Sequence, residues 1–441
     1  MRYVSTKNPT GPTFSLAEGL RLGPAPDGGL LVPVRRPELG DTFWRDHPGR
    51  SLSDTALAVM SALVGDALPT EVLRRLLDDA LDFPLPLHRV TERVALLELF
   101  HGPTLAFKDV GARTLARLLP ATAGGEEVAD SLVVVATSGD TGGAVAQAFH
   151  GVEGTRVAIL YPDGQVSPVQ ERQFTTLGGN VHAFAVDGTF DDCQRLVKAA
   201  FADRELRRSL GLTSANSINL GRLLPQAVYY AHAVAQLLTS APDRSPIFVV
   251  PSGNFGNLTA GLLARRLGLD RFGASFVAAT NANDVVPRYL AEGVYSPRDS
   301  VRTLSNAMDV GDPSNLARIR HLYGDDVAAL RRDVRGVVVD DEMTQQTIRR
   351  VDRDHGVLLD PHTAVGWHAA ETVVQTQGDD AVAIVLATAH PAKFAEVVEP
   401  VVGRQIEMPE RLARHLHQEV KSVRLSPEID HLRDALRTLP S

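Results

Sequence analysis

The sequence predicts an α/β protein with two parallel or mostly parallel sheet domains, an active-site cleft between them and a mostly helical N-terminal lead region. Two observations carry that expectation. From about residue 95, short apolar runs alternate with helical stretches, as βαβ units do, with strands expected at Leu132–Ala136, Val157–Tyr161 and Val181–Val186. A second series opens at Pro246–Val250, continues through Ala274–Thr280 and returns at Ala381–Thr388. Between the two series, Ala241-Pro-Asp-Arg-Ser-Pro246 is polar and proline-punctuated, which marks a boundary. The expected division is 1–95 for the lead region, 96–240 for the first sheet domain and 241–441 for the second.

In the lead region Asp27-Gly28-Gly29 signals a turn, and Ser53–Val64 and Thr70–Leu81 have the spacing of amphipathic helices. Next comes Val94–Phe100, an apolar run that reads as a buried strand. After it Val110, Leu115, Leu118 and Leu119 recur at helical spacing. Lys108 lies between the two, near a helix start and beside Phe107. The positive end of the helix dipole and desolvation both disfavour the ammonium, which suits a nucleophilic or Schiff-base amine. Taken alone, Lys108 reads as an ordinary first-turn surface lysine, and the rest of the chain must decide.

Composition narrows the function classes. With 441 residues, 44% hydrophobic and 22% charged, the chain suits two or three globular domains rather than a disordered or fibrous protein. A net charge of -8 argues against nucleic-acid binding, which needs clustered cations. The one cysteine, Cys193, permits neither an internal disulfide nor a thiolate zinc site. The fourteen histidines show no HExxH-like spacing, so no metal is expected. MRYVSTKNPTGP has no apolar signal core and no stretch reads as a membrane span, so the expected location is the cytoplasm.

Two glycine-rich turns follow predicted strands and open helices: Thr137-Ser-Gly-Asp-Thr-Gly-Gly143 and Pro251-Ser-Gly-Asn-Phe-Gly-Asn257. A strand, a turn and a helix N-terminus form an anion cradle, although one such turn alone is as readily just a tight connection. Neither has the spacing of a nucleotide-binding signature. A third strand end, Leu386-Ala-Thr-Ala-His-Pro391, puts the hydroxyl of Thr388 at the carboxyl edge of a sheet, where open α/β sheets bind ligands. A threonine closing a strand is also common for structural reasons. Together, a lysine, two anion cradles and a hydroxyl suit a phosphorylated carbonyl cofactor, pyridoxal phosphate, with an amino-acid substrate.

At these residues the sequence resembles the threonine synthase family, in the longer form of bacteria and fungi, within the tryptophan-synthase-like, type II fold of pyridoxal-phosphate enzymes. The resemblance runs through ELFHGPTLAFKD, ATSGDTG, ILYPDGQVSPVQ, SANSINLGRLLPQ, PSGNFGNLTAG, LSNAMDVGDPSN, DPHTAVGW and ATAHPAKF, and so covers nearly the whole chain. It implies that Lys108 is the Schiff-base lysine and that Gly253, Asn254, Phe255, Gly256 and Asn257 form the cofactor-phosphate loop. It implies too that Thr388 faces the pyridine nitrogen and that Ser138, Gly139, Asp140, Thr141 and Gly142 meet the substrate carboxylate. The implied reaction turns O-phospho-L-homoserine and water into L-threonine and phosphate, the last step of threonine biosynthesis, with no protein partner required. For the substrate phosphate Arg113, five residues after Lys108, is the first candidate, with Lys7, Arg172, Arg222 and Lys393 as alternatives. Competing readings are another type II lyase or dehydratase acting on hydroxy or phospho amino acids, and a non-catalytic phosphometabolite-binding protein on the same sheets.

Overall fold

Runs such as SLVVVA, SPIFVVP and AVAIVLA are apolar at nearly every position, which suits strands covered on both faces rather than one. In the computed structural model, which describes residues 1–123 and 131–440, each is an interior strand with a parallel neighbour on both sides. The strands in chain order are β1 (Tyr3–Ser5), β2 (Asn8–Phe14), β3 (Leu31–Pro33), β4 (Leu87–Arg89), β5 (Val94–Glu98), β6 (Ser131–Ala136) and β7 (Thr155–Pro162). They continue with β8 (Val181–Val186), β9 (Leu212–Ser214), β10 (Ser245–Pro251), β11 (Ser275–Thr280), β12 (Val334–Val338), β13 (Ala381–Ala387) and β14 (Ser422–Leu425).

One sheet has the order β14-β8-β7-β6-β9, all parallel. The other has the order β12-β11-β10-β13-β5-β4, parallel except for the last pair. The sheets do not follow the expected division at residues 96 and 241. The strand before Lys108, β5, pairs with β13 from Ala383↔Val94 to Ala387↔Glu98, so it belongs with the later strands. At the other end β14 returns to the earlier sheet beside β8. Pairing partners so far apart in sequence leave no trace in local periodicity, and a division drawn along the chain misses both exchanges.

The lead region holds the two expected helices, at Leu52–Val64 and Thr70–Ala80. It also holds an antiparallel sheet of order β2-β1-β3 that the periodicity does not announce. The reason is local: β1 and β3 have three residues each, and β2 is mostly exposed and contains two prolines. Three large apolar clusters among the described residues hold most of the rest. The largest lies among the lead helices, the helix Lys108–Ala121, the helix Gln226–Ser240 and the inner sheet faces. A second, around the fully buried Trp367, covers the outer face of the six-stranded sheet. The third joins Leu196 and Val197 to Leu432 and Leu436 over the five-stranded sheet. Among the described residues no helix is long and apolar enough to cross a membrane.

Candidate active site

The chain leaves β5, β6, β10 and β13 at their carboxyl ends toward one cavity, the position where parallel sheets collect ligands. Lys108, Thr137, Ser138, Asp140, Thr141, Arg222, residues 252–257, residues 306–310, His362 and Thr388 are among its lining.

Lys108 is the first residue of the helix Lys108–Ala121, and no side chain caps that helix. The loop before it is laced to the end of β13: Phe107 N–H donates to Thr388 O at 2.8 Å, His390 N–H donates to Leu105 O at 3.0 Å, and Ala106 bridges Ala389. Leu105 takes φ 55°, a left-handed conformation that a branched side chain adopts only under constraint. Asp109 anchors the same loop, accepting from Thr104 N at 2.8 Å and Thr104 Oγ1 at 2.6 Å. Burial pushes that carboxyl up to about 6. The Lys108 amine itself is lowered to about 8, first by burial and then by the positive charges of Arg222 and Lys393, with Asp140 opposing them. Its side chain keeps some surface, which faces the cavity.

After β10 the backbone turns through Phe255, at φ 60° and ψ 14°, into the helix Gly256–Arg266, whose first N–H groups have no side-chain cap. Gly253 is required by close approach: a Cβ there would stand 2.8 Å from both Ala307 O and Met308 Cα. Asn257 is the most informative residue of the loop. Its Oδ1 accepts from Tyr229 OH at 2.6 Å and from Tyr230 OH at 2.7 Å, while its Nδ2 is buried without a partner. The two hydroxyls fix the amide so that an N–H₂ donor is left over in the wall of the cavity, free to bond a ligand there. Asn254 is engaged differently, its Oδ1 accepting from Ser314 N at 3.3 Å.

Across the cavity Thr137 Oγ1 accepts from Gly139 N at 3.0 Å and Gly142 N at 2.8 Å, closing the turn that starts the helix Asp140–Phe149. Gly139, at φ 143° and ψ -95°, admits no side chain: a Cβ would lie 2.5 Å from Gln170 Oε1. Ser138, Asp140 and Thr141 line the cavity; Gly139 and Gly142 shape it from behind. Thr388 closes β13 with its N–H donating to Thr363 Oγ1 at 3.3 Å.

Arg113, the first candidate for the substrate phosphate, points elsewhere. It donates to Ala80 O at 2.8 Å and Asp79 O at 2.6 Å and pairs with Asp82 at 2.8 Å, tying its helix to the lead region. Five residues along a helix is not one face, and the side chain falls on the far side from Lys108. Arg172 is occupied by Gln418 O at 2.9 Å, Lys7 lines a different cavity, and Lys393 is sealed in an ion pair with Asp140. Arg222 alone among these candidates lines the site and is not neutralised there by a carboxylate contact. It is 4% exposed, Nη1 donates to Ala215 O, Nε has no partner, and burial lowers it to about 10.

The lining also contains residues that sequence reasoning had not assigned to the site. His362 Nδ1 lies 2.8 Å from Asp360 Oδ1, and its Nε2 accepts from Ala307 N at 3.2 Å, so the histidine holds the strap 306–308 over the loop 253–257. The stretches LSNAMDVGDPSN and DPHTAVGW were visible signals, but nothing local says that they meet.

Comparison with known proteins decides the family. A profile described as "Pyridoxal-phosphate dependent enzyme" matches residues 83–388, flanked by "Threonine synthase N terminus" over 2–81 and "Threonine synthase, C-terminal" over 363–436. The threonine synthase of Serratia marcescens is 44% identical over 427 residues, 97% of each chain. The chain belongs to the threonine synthase family. Among solved structures the threonine synthase of Escherichia coli superposes with a TM-score of 0.92 at 42% identity, over 99% of both chains. The PLP-bound threonine synthase of Brucella melitensis does so with a TM-score of 0.89 at 37% identity, again over 99% of both. The threonine synthase family is pyridoxal-phosphate dependent, and the features of this cavity suit that cofactor: a desolvated amine, an uncapped helix N-terminus and a leftover buried amide donor.

Proposed function

We propose that this chain is a threonine synthase, converting O-phospho-L-homoserine and water into L-threonine and phosphate with pyridoxal phosphate. The observation that supports it best is the company kept by Asn257: an orphaned Nδ2 at a helix start, in the same cavity as a lysine lowered to about 8 and a buried arginine. In this reading Lys108 binds the cofactor's aldehyde carbon; residues 253–257 bind its phosphate through backbone N–H groups and the amides of Asn254 and Asn257; Thr388 meets the ring nitrogen. When bound, the cofactor supplies a carbonyl for an amine to condense with and a ring that takes up electron density from the substrate's α-carbon.

The protein's own groups do the rest. The Lys108 amine, depressed toward working pH, takes the proton from the α-carbon and returns it at the end. Arg222 holds the substrate phosphate until it leaves the γ-carbon, and the Ser138–Gly142 turn, at a helix N-terminus, holds the carboxylate. The enzyme acts in the cytoplasm on a small molecule, without a nucleic-acid, membrane or obligatory protein partner, in keeping with its net charge of -8.

The test is spectroscopic. Holoprotein is expected to absorb visible light and to lose that band on borohydride reduction, with the reduced cofactor recovered on Lys108. Lys108→Ala is expected to be colourless after dialysis and to release no phosphate from O-phospho-L-homoserine. A colourless native protein, or a variant that keeps both band and turnover, would overturn the assignment.

A further inference from the structure

Lys393 is a cation with no exposed surface, set behind the site cavity against Asp140, and nothing in the reaction so far uses it. It lies in the 3-10 turn Pro391–Phe394 that follows β13. Its Nζ stands 2.7 Å from Asp140 Oδ1 and donates to Thr104 O at 2.7 Å. Asp140 is the first residue of the helix after the glycine turn, and its Oδ1 also accepts from Gln170 Nε2 at 2.8 Å. Thr104 in turn is held by Asp109 and accepts from Gln173 Nε2 at 3.3 Å. One ammonium thus joins the end of β13, the turn after β6 and the loop that delivers Lys108.

The charges around Lys108 make this joint more than a clamp. Asp140 favours a proton on Lys108, whereas Arg222 and Lys393 oppose one. Asp140 in turn is held well below the usual carboxylate range by Lys393 and Lys108 against the cost of its burial. It stays anionic, in contact with Lys393 and lining the same cavity as Lys108. We infer that Lys393 is a positioning residue that works through Asp140: its ammonium occupies the carboxylate that would otherwise pair with Lys108 and hold that amine protonated. The inference rests on Lys108 being the cofactor-linking amine. Lys393 touches neither substrate nor cofactor in this account; it keeps Lys108 available to both.

The experiment uses apoprotein and measures the rate of borohydride-trappable uptake of pyridoxal phosphate from pH 6.5 to 10.5. Native protein is expected to show a midpoint near 8, where Lys108 loses its proton. In Lys393→Met the freed carboxylate pairs with Lys108, and uptake at pH 8 falls about tenfold while uptake at the alkaline end stays close to native. Lys393→Arg is expected to restore the native profile in part. In Asp140→Asn the opposing charge is gone and the midpoint moves to lower pH, and the neutral pair Lys393→Met with Asp140→Asn brings it back from the alkaline side. A plain structural role would lower uptake uniformly across pH, and that result overturns the inference. So does an unshifted Lys393→Met, or, where that variant fails to fold, an Asp140→Asn midpoint that stays or rises. Trappable uptake by Lys108→Ala would instead overturn the assignment of Lys108, independently of Lys393.

Discussion

At the residue scale the site depends on side chains whose usual partners are missing or already committed. Asn257 is one: two tyrosine hydroxyls take its oxygen and leave its nitrogen for a ligand. Asn257→Asp replaces a donor with an anion beside the cofactor phosphate, and equilibrium titration is expected to show the cofactor dissociation constant raised at least tenfold, about 1.4 kcal/mol. Tyr229→Phe with Tyr230→Phe is expected to weaken binding less, since the amide survives but is no longer held in one orientation. Unchanged affinity in all of these would mean that the loop does not hold the phosphate. Lys108 and the glycine turns were legible in the sequence because an apolar strand, a glycine turn and a helix start leave local marks. The direction of Arg113 was not, because five positions on a helix say little about which neighbour, here Asp79, Ala80 and Asp82, captures a long side chain. Nor was the sealing of Lys393, whose partner Asp140 is far away in the chain.

At the scale of elements, the strap 306–308 and the loop 253–257 form a single unit. Gly253 leaves no room for a Cβ beneath Ala307 and Met308, and His362 pins Ala307 N–H from the other side. Gly253→Ala is expected to lift the strap, lower the melting temperature of the apoprotein and reduce cofactor affinity; equal melting temperature and equal affinity would show that the approach is not needed. The helix Gln226–Ser240 gives a pH prediction. Burial and the neighbouring His47 lower His232 to about 4, against an ordinary value near 6.5. A lowered histidine favours folding when neutral, so its contribution is intact above pH 6.5 and lost as pH falls toward 4. Melting curves of His232→Leu and native protein are expected to differ in slope between pH 6.5 and 4, the variant losing less stability on acidification; parallel slopes would exclude the role. The two lead-region helices and the long buried strands were legible in periodicity, whereas three-residue strands such as β1, β3 and β9 were too short to show any.

At the scale of the molecule, the two sheets exchange segments across the site. β5 carries the chain to Lys108 from the six-stranded sheet, the turn at Gly139 comes from the five-stranded one, and β14 returns from the C-terminal part to pair with β8. The fold class was legible because alternating apolar runs and helices indicate parallel sheets whatever their order. Strand order was not, because it is set by pairings that span most of the chain. The consequence for function is that each side of the cavity contributes part of the charge balance: Lys108 and Lys393 from one, Asp140 from the other. The most direct measurement of the central claim is the product made from O-phospho-L-homoserine by holoprotein, with Lys108→Ala alongside. Native protein is expected to release phosphate and L-threonine in equal amounts and the variant neither. Phosphate accompanied by a keto acid and ammonia in place of threonine, or turnover that survives in the variant, would contradict it.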